Sequence, residues 1–426
     1  MFGKSFKWML LTLVIIAALT FGAVAGYRAL FPAAEPVSTP EPSVTPEPEA
    51  TPTPEPTTEP TPTPRVPTEE ELAVMAYVET MSIKDKLGQL VMFGFTGYGE
   101  PSDEFQRTMS TYHVGNVALY GNNIDMNSAG GGFTICKRLT NRLSVLNKQD
   151  VPLLVAIDIE GGTVHRFKWE ETPPSAKRLG QKNDPDYAYS EFKRVGEKLL
   201  SVGINMNLAP VLDVAVHPSK TFLGSRIISS SAAIAGNMGA AVIRGLNDAG
   251  CLSTAKHFPG HGATTEDSHA ATPVVEKSRE ELEKYELLPF KAGIEAGVDT
   301  VLVGHILYTG LDPEDIASMS EPVITGLLRE ELGFEGIVMS DDFRMGGLTS
   351  RYDVGKAAVR FILAGGDLIL CGPRNDLQAK IMSGLTDAAL DGTLSEERIN
   401  ESVARILLKK IKAAGWAVPT GEEAAE

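Results

Sequence analysis

The stretch Leu252-Ser253-Thr254-Ala255-Lys256-His257-Phe258-Pro259-Gly260-His261-Gly262-Ala263-Thr264-Thr265-Glu266-Asp267-Ser268-His269 joins two unlike halves. Its start is a short run with β-branched and apolar residues, of strand length, closing in two basic side chains. The remainder is broken by Pro259, Gly260 and Gly262 and carries two further histidines beside the acidic pair Glu266 and Asp267. A buried strand whose end is polar fits a parallel sheet, in which the carboxyl ends of the strands form the working edge.

The same form recurs along the chain. Apolar, β-branched runs fall at Leu90 to Phe95, Asn116 to Tyr120, Leu153 to Asp158, Asn205 to Pro210, Leu252 to His257, Thr300 to His305, Gly336 to Asp341 and Asp367 to Cys371. Helical patterns separate most of them, at Ser190 to Val202, Ala232 to Asp248, Glu280 to Ala296, Ile324 to Leu332, Val354 to Ala364 and Leu377 to Leu390, with Ser395 to Ala414 at the end. Thr68 with Glu71, and Ser82 with Asp85, read as capping signals for two opening helices. Alternation of this kind predicts an α/β chain closed into a (β/α)8 TIM-type barrel; a doubly wound sheet would want a G-x-G-x-x-G after its first strand, and none follows. Polar residues gather just past the strands, at Asp158-Ile159-Glu160-Gly161-Gly162, Asp213, Lys256-His257, His305 and Ser340-Asp341-Asp342. A barrel brings all of these to one mouth.

Ahead of the barrel the chain is of another kind. Lys4 and Lys7 precede an uncharged, mostly apolar run from Trp8 to Gly26, about the ~20 residues a bilayer core requires. Residues 1–31 are therefore expected to be a signal anchor that tethers the protein outside the cytoplasm, or a secretion signal if Ala23-Val24-Ala25 is cut. Residues 32–67 are Pro-Thr-Glu repeats without an aromatic residue, expected to be an extended, disordered spacer. The barrel is expected over 68–416, with an acidic tail at 417–426. The formal charge of −16 argues against nucleic acid, which rewards clustered Lys and Arg. Three cysteines, Cys136, Cys251 and Cys371, without a C-x-x-C, give neither a disulfide framework nor a zinc site. A monomer is expected.

His257 and His261 stand at i, i+4, a zinc-ligand spacing on a helix. Pro259 and Gly260 lie between them, and in a helix they would cost about 3 and about 1 kcal/mol relative to alanine. No metal or other cofactor is expected. Lys256 and His257 instead end a strand and can hydrogen-bond the hydroxyls of a polar ligand. Asp267 and His269, two residues apart, suit a carboxylate that orients an imidazole for general acid/base work. Asp341 at its strand end suits a nucleophile, and Asp342 a turn or cap residue. Asp158, Arg166 and Arg226 with Lys256 suit a vicinal-diol ligand such as a sugar.

These motifs together, K-H-F-P-G-H-G followed by D-S-H, D-x-E-G-G-x-V-x-R-F and S-D-D-F-x-M, with M-S-I-K-D-K-L-G-Q-L near the start, resemble glycoside hydrolase family 3, in particular its single-barrel β-N-acetylglucosaminidases (β-N-acetylhexosaminidases) of the NagZ type. The similarity runs from about Ser82 to Leu408. It implies a retaining mechanism through a glycosyl-aspartate, with Asp341 as nucleophile, His269 as acid/base and Asp267 as its partner. Asp158, Arg166, Arg226, Lys256 and His257 match sugar-binding positions, and His305 matches a position near the site. The implied substrate is a glycan ending in GlcNAc, from peptidoglycan or chitooligosaccharides. Ile159 stands where the family has glutamine, and Ser225 with Ile227-Ile228 departs from the common G-D-R-S-F around Arg226, which leaves the fine sugar specificity open. A β-glucosidase or a phosphorylase on the same barrel, or a non-catalytic wall-binding module, are the alternative readings.

Overall fold

The structure, a computed structural model, describes residues 66–214, 221–264, 268 and 272–419. The expected anchor, nearly all of the spacer, Asp267, His269 and the end of the acidic tail lie outside the described residues. Among the described residues no helix is long and apolar enough to cross a membrane.

Eight parallel strands form one sheet: β1 (Val91–Gly94), β2 (Asn116–Leu119), β3 (Leu154–Ile157), β4 (Met206–Asn207), β5 (Leu252–Phe258), β7 (Thr300–Val303), β9 (Ile337–Ser340) and β10 (Ile369–Cys371). Pairing runs β10-β1-β2-β3-β4-β5-β7-β9. A parallel bridge between Met339 and Leu368 brings the last strand back to β9, so the sheet curls into a nearly closed barrel. These strands are buried along their whole length, as expected where helices cover the outside and side chains fill the inside.

One strand is shorter than its expected run, and two others fall where no run was expected. β4 is a ladder of only two residues, and side-chain amides complete it: Asn205 exchanges bonds with Val155 N (2.8 Å) and Leu153 O (3.0 Å), and Asn207 with Ile159 N (2.9 Å) and O (3.0 Å). An asparagine amide presents the same donor and acceptor as a peptide, so it takes the place of a ladder rung. A second, two-stranded sheet of β6 (Val274–Ser278) and β8 (Leu307–Gly310) stands beside the mouth and was not foreseen. The expected helix over Glu280 to Ala296 is instead two, Arg279–Lys284 and Leu287–Glu295. Pro289 explains the break: without an N–H it cannot continue a helix from Tyr285, but it is tolerated in a first turn.

The last helix, Glu396–Ala414, starts at Ser395, whose hydroxyl accepts from Arg398 N, and ends at Gly415 in the left-handed region. Its buried Ile399, Val403, Ile406 and Leu407 follow the helical period, and each apolar side chain so buried stabilises by about 1.5–3 kcal/mol. Met75, Val78 and Glu79 of the first helix, Glu69–Thr80, line a groove with residues of this last one.

Candidate active site

At the C-terminal ends of the strands a cavity of ≈ 380 Å³ opens, lined by Asp158, Arg166, Arg226, Lys256, His257 and Asp341, and also by Glu160, Tyr120, His261, Ser268, Asp342 and Arg344. The six described residues that the sequence analysis gave catalytic or sugar-binding roles thus border one space. His305 does not; it is fully buried behind the mouth with Nδ1 on Ser318 Oγ (2.8 Å) and Nε2 without a partner. Burial pushes its pKa down, against the pull of the Asp341 and Asp342 charges.

The floor is a charge cluster. Lys256 Nζ lies 2.7 Å from both Asp158 Oδ1 and Glu160 Oε1. Arg226 grips Glu160 by two bonds, Nε to Oε2 at 2.7 Å and Nη2 to Oε1 at 2.9 Å, the bidentate geometry a guanidinium is built for. Burial alone would raise the Glu160 pKa, but Lys256 and Arg226 bring it down to about 2. Lys256 likewise stays charged: burial would lower its pKa, and the two carboxylates outweigh it. Arg166 is held loosely, 3.8 Å from Asp158, with its buried Nε unpartnered. Two acids and three bases therefore surround the floor, and the Arg166 guanidinium has donors left for a ligand.

Glu160 was not assigned from the sequence, although D-x-E places it on the same side of an extended chain as Asp158. The glycines after it have a steric cause. Gly161 and Gly162 have φ of +88° and +59°, and a Cβ on Gly161 would lie 2.1 Å from the Pro174 carbonyl oxygen. The turn that delivers Glu160 therefore excludes other residues.

Asp213 was the second omission. It is wholly buried, accepts His257 N at 3.2 Å and His261 N at 2.6 Å, and meets His257 Nδ1 at 2.7 Å. The β5–β7 register shifts between Lys256 and Phe258, which leaves the His257 N–H out of the ladder and available to Asp213. Burial favours the neutral acid, but the two histidines hold the Asp213 pKa below the usual range. Gly262 is a close approach: a Cβ there would sit 1.8 Å from the Val214 carbonyl oxygen, so only glycine lets the loop after β5 lie on the segment after β4.

The rings of His257 and His261 stand perpendicular, 5.8 Å apart. Both nitrogens of His261 are engaged by hydroxyls, Nδ1 by Thr264 Oγ1 (2.8 Å) and Nε2 by Ser268 Oγ (2.9 Å). Burial and the neighbouring His257 lower the His261 pKa to about 4, so the ring is neutral near pH 7. The pair is not arranged as a chelate.

Asp341 and Asp342 divide as their surroundings dictate. Asp342 is consumed: Arg344 Nη2 at 2.6 Å, Tyr120 Oη at 3.1 Å and Gly372 N at 3.1 Å all donate to it, and Arg344 also lies over the Tyr120 ring. Among the described residues the Asp341 carboxylate accepts only from Asp342 N (2.8 Å), and it keeps partial exposure toward the cavity. Its desolvation would raise its pKa, yet the His257 and His305 imidazoles and the Asp342 amide keep it below the usual range. It is an ionised carboxylate with lone pairs to spare, as a nucleophile requires.

Fold and mouth together define a class: an α/β barrel whose C-terminal end holds a small, polar, charge-walled cavity for one compact ligand. Residues 82–408 match the model of the glycosyl hydrolase family 3 N terminal domain, and the chain belongs to that family. Beta-hexosaminidase A of Pseudoalteromonas piscicida is 31% identical over 373 residues, 78% of this chain and 61% of that protein, so this chain spans less than two thirds of that relative. Beta-hexosaminidase LpqI of Mycobacterium tuberculosis is 30% identical over 357 residues, 81% of this chain and 87% of that one. The glycoside hydrolase family 3 beta-N-acetylglucosaminidase from Paenibacillus sp. str. FPU-7 superposes with a TM-score of 0.75 at 38% identity, over 80% of this chain and 65% of that one.

Proposed function

We propose that the protein is a retaining exo-β-N-acetylglucosaminidase that releases terminal non-reducing GlcNAc from peptidoglycan fragments or chitooligosaccharides. The observation that carries this reading is the partly open Asp341 carboxylate on a ≈ 380 Å³ cavity whose floor is the Asp158, Glu160, Lys256 and Arg226 cluster. That volume is near the lower end for ligand pockets and suits one sugar ring. Asp341 attacks the anomeric carbon as the glycosidic bond breaks. His269, oriented by Asp267, gives its proton to the departing oxygen and later takes one from the water that hydrolyses the glycosyl ester. Asp158, Arg166, Arg226, Lys256 and His257 hold the ring. Residues 1–31 tether this enzyme outside the cytoplasm and 32–67 hold it off the membrane, which favours wall fragments as substrate; it acts as a monomer.

Full-length protein should cleave pNP-β-GlcNAc and leave pNP-β-glucose largely untouched. Equal turnover of both, or of neither, refutes the proposal, and sugar 1-phosphate formed in phosphate buffer would move it to phosphorolysis.

A further inference from the structure

The backbone just past β9 is pinned on either side of Asp342. Asp341 N donates to Val303 O of β7 (3.0 Å) and Phe343 N to Leu370 O of β10 (2.9 Å), so each is spent on a neighbouring strand. The N–H between them, that of Asp342, turns instead onto Asp341 Oδ1 at 2.8 Å. Among the described residues the other oxygen of Asp341, Oδ2, accepts nothing.

The side chain of Asp342 holds that peptide in place. Its Oδ1 accepts from Gly372 N (3.1 Å) and from Arg344 N and Nε (3.1 and 3.0 Å), and its Oδ2 from Arg344 Nη2 (2.6 Å) and Tyr120 Oη (3.1 Å). Segments that follow β2, β9 and β10 thus meet on one buried carboxylate. A turn residue needs only the bond from Arg344 N; the others make a clamp. Two glycines leave room for it. A Cβ on Gly372 would lie 2.2 Å from Arg344 Cζ, and one on Gly94 2.4 Å from Tyr120 Cε2. The ends of β10 and β1 are therefore bare backbone where the guanidinium and the ring lie on them.

We infer that Asp342, clamped by Tyr120 and Arg344, is a positioning residue: it aims its own N–H at Asp341 Oδ1 and so leaves Oδ2 as the oxygen that attacks the anomeric carbon. The inference rests on the glucosaminidase reading. In that step a lone pair of Oδ2 forms the new bond to the anomeric carbon, and the bond to the aglycone oxygen breaks with its electron pair leaving on that oxygen. A carboxylate free to swing loses this alignment, and a displacement of about 1 Å can cost on the order of 100-fold in rate. A donor on Oδ1 also favours the ionised form of Asp341. The other titratable groups around it are His257 at the end of β5, His261 just after it, His305 after β7, and the Asp342 carboxylate, which Arg344 neutralises.

The test compares two variants that remove the same charge. Asp342→Asn keeps a carbonyl oxygen for Gly372, Arg344 and Tyr120, whereas Asp342→Ala keeps no acceptor. On 2,4-dinitrophenyl β-GlcNAc, whose leaving group needs no proton, kcat/KM reports the attack of Asp341. It should be on the order of 10- to 100-fold lower in Asp342→Ala than in Asp342→Asn, with the acid limb of its pH profile about one pH unit higher. Free GlcNAc should inhibit the two variants equally. Tyr120→Phe, which loses only a hydroxyl, should cost about fivefold with GlcNAc inhibition unchanged. Equal rates in Asp342→Asn and Asp342→Ala overturn the positioning role. So does GlcNAc inhibition that weakens in step with the rate, since Asp342 would then be a contact to the sugar. Should Asp342→Ala fail to fold, Tyr120→Phe decides, and a wild-type rate in that variant overturns the inference. In each of these cases an active wild type leaves the enzyme reading standing; a wild type inert on this glycoside overturns that reading and the inference with it.

Discussion

At the N-terminal ends of the strands, Asp367 accepts from Arg405, Ser402 and Val338 N, is bonded to Arg329 and lies 3.8 Å from Arg398. Nearby, Asp299 is ringed by Lys409 and Lys412. At the opposite end, among the described residues, the Asp341 carboxylate accepts one hydrogen bond, from Asp342 N, and Arg166 has a buried Nε without a partner. Both ends bury charge. The lower one uses every lone pair on the chain itself, with side chains of the last helix supplying most of the cations, whereas the upper one keeps capacity unspent and opens to a cavity. Saturated buried charge holds a fold together, and unsaturated buried charge is available to a ligand.

The largest effect should follow from removing the least saturated acid. Asp341→Ala is expected to lower kcat on the order of 10⁴-fold or more while the urea midpoint of unfolding stays near that of the wild type; retained turnover would mean that the open carboxylate is not the nucleophile. Asp367→Ala should do the reverse. Leaving Arg329, Arg398 and Arg405 without their counter-ion should destabilise by roughly 3–5 kcal/mol, read from denaturant unfolding, with kcat per folded molecule unchanged.

Acid should separate the ends more gently. His261 has its pKa lowered from 6.5 to about 4 by burial and by His257, so between those values the unfolded chain binds the proton and the folded one does not. Stability at the mouth is therefore lost as pH falls from 6.5 toward 4, by on the order of 3 kcal/mol at most. The Asp367 pKa is depressed below 3.8, its burial outweighed by Arg329, Arg405 and Arg398, so its contribution is present above pH 3.8 and goes only below it. Unfolding midpoints measured from pH 7 to 3 should show the upper transition first, and His261→Gln should flatten it. A slope unchanged in that variant would assign the acid sensitivity elsewhere.

Much of this architecture was legible in the chain. Eight runs such as Thr300 to His305 announce buried parallel strands because both of their faces are apolar, and polar residues at their ends announce the mouth. Thr68 with Glu71 forms the reciprocal capping bonds its spacing implies. What escaped depends on contacts between distant segments. β6 and β8 were missed because Val274–Ser278 is largely exposed and follows no apolar run. Glu160 and Asp213 were visible as polar residues past strands, but their work is done on Arg226, Lys256, His257 and His261, and those pairings exist only once the barrel curls. Alternation along D-x-E was the available signal for Glu160; for Asp213 there was only its place after β4. Arg344 and Tyr120 enter the cavity wall through Asp342, a partnership no local pattern encodes.

The seam between the chain's first and last elements has a kinetic meaning. Lys86 bonds Glu396 across 310 positions, and Lys410 reaches Gln89 across 321 and the Gly115 carbonyl across 295. Contacts of such separation form only after the entropy of closing nearly the whole loop has been met. The early helices and β1 must therefore wait, as a newly made chain lengthens, until the final helix arrives to close the ring. Through that interval their apolar faces, Leu87, Leu90 and Phe93 among them, are the surface most exposed to misassociation, and the speed of refolding should be governed by this last docking rather than by any single βα unit.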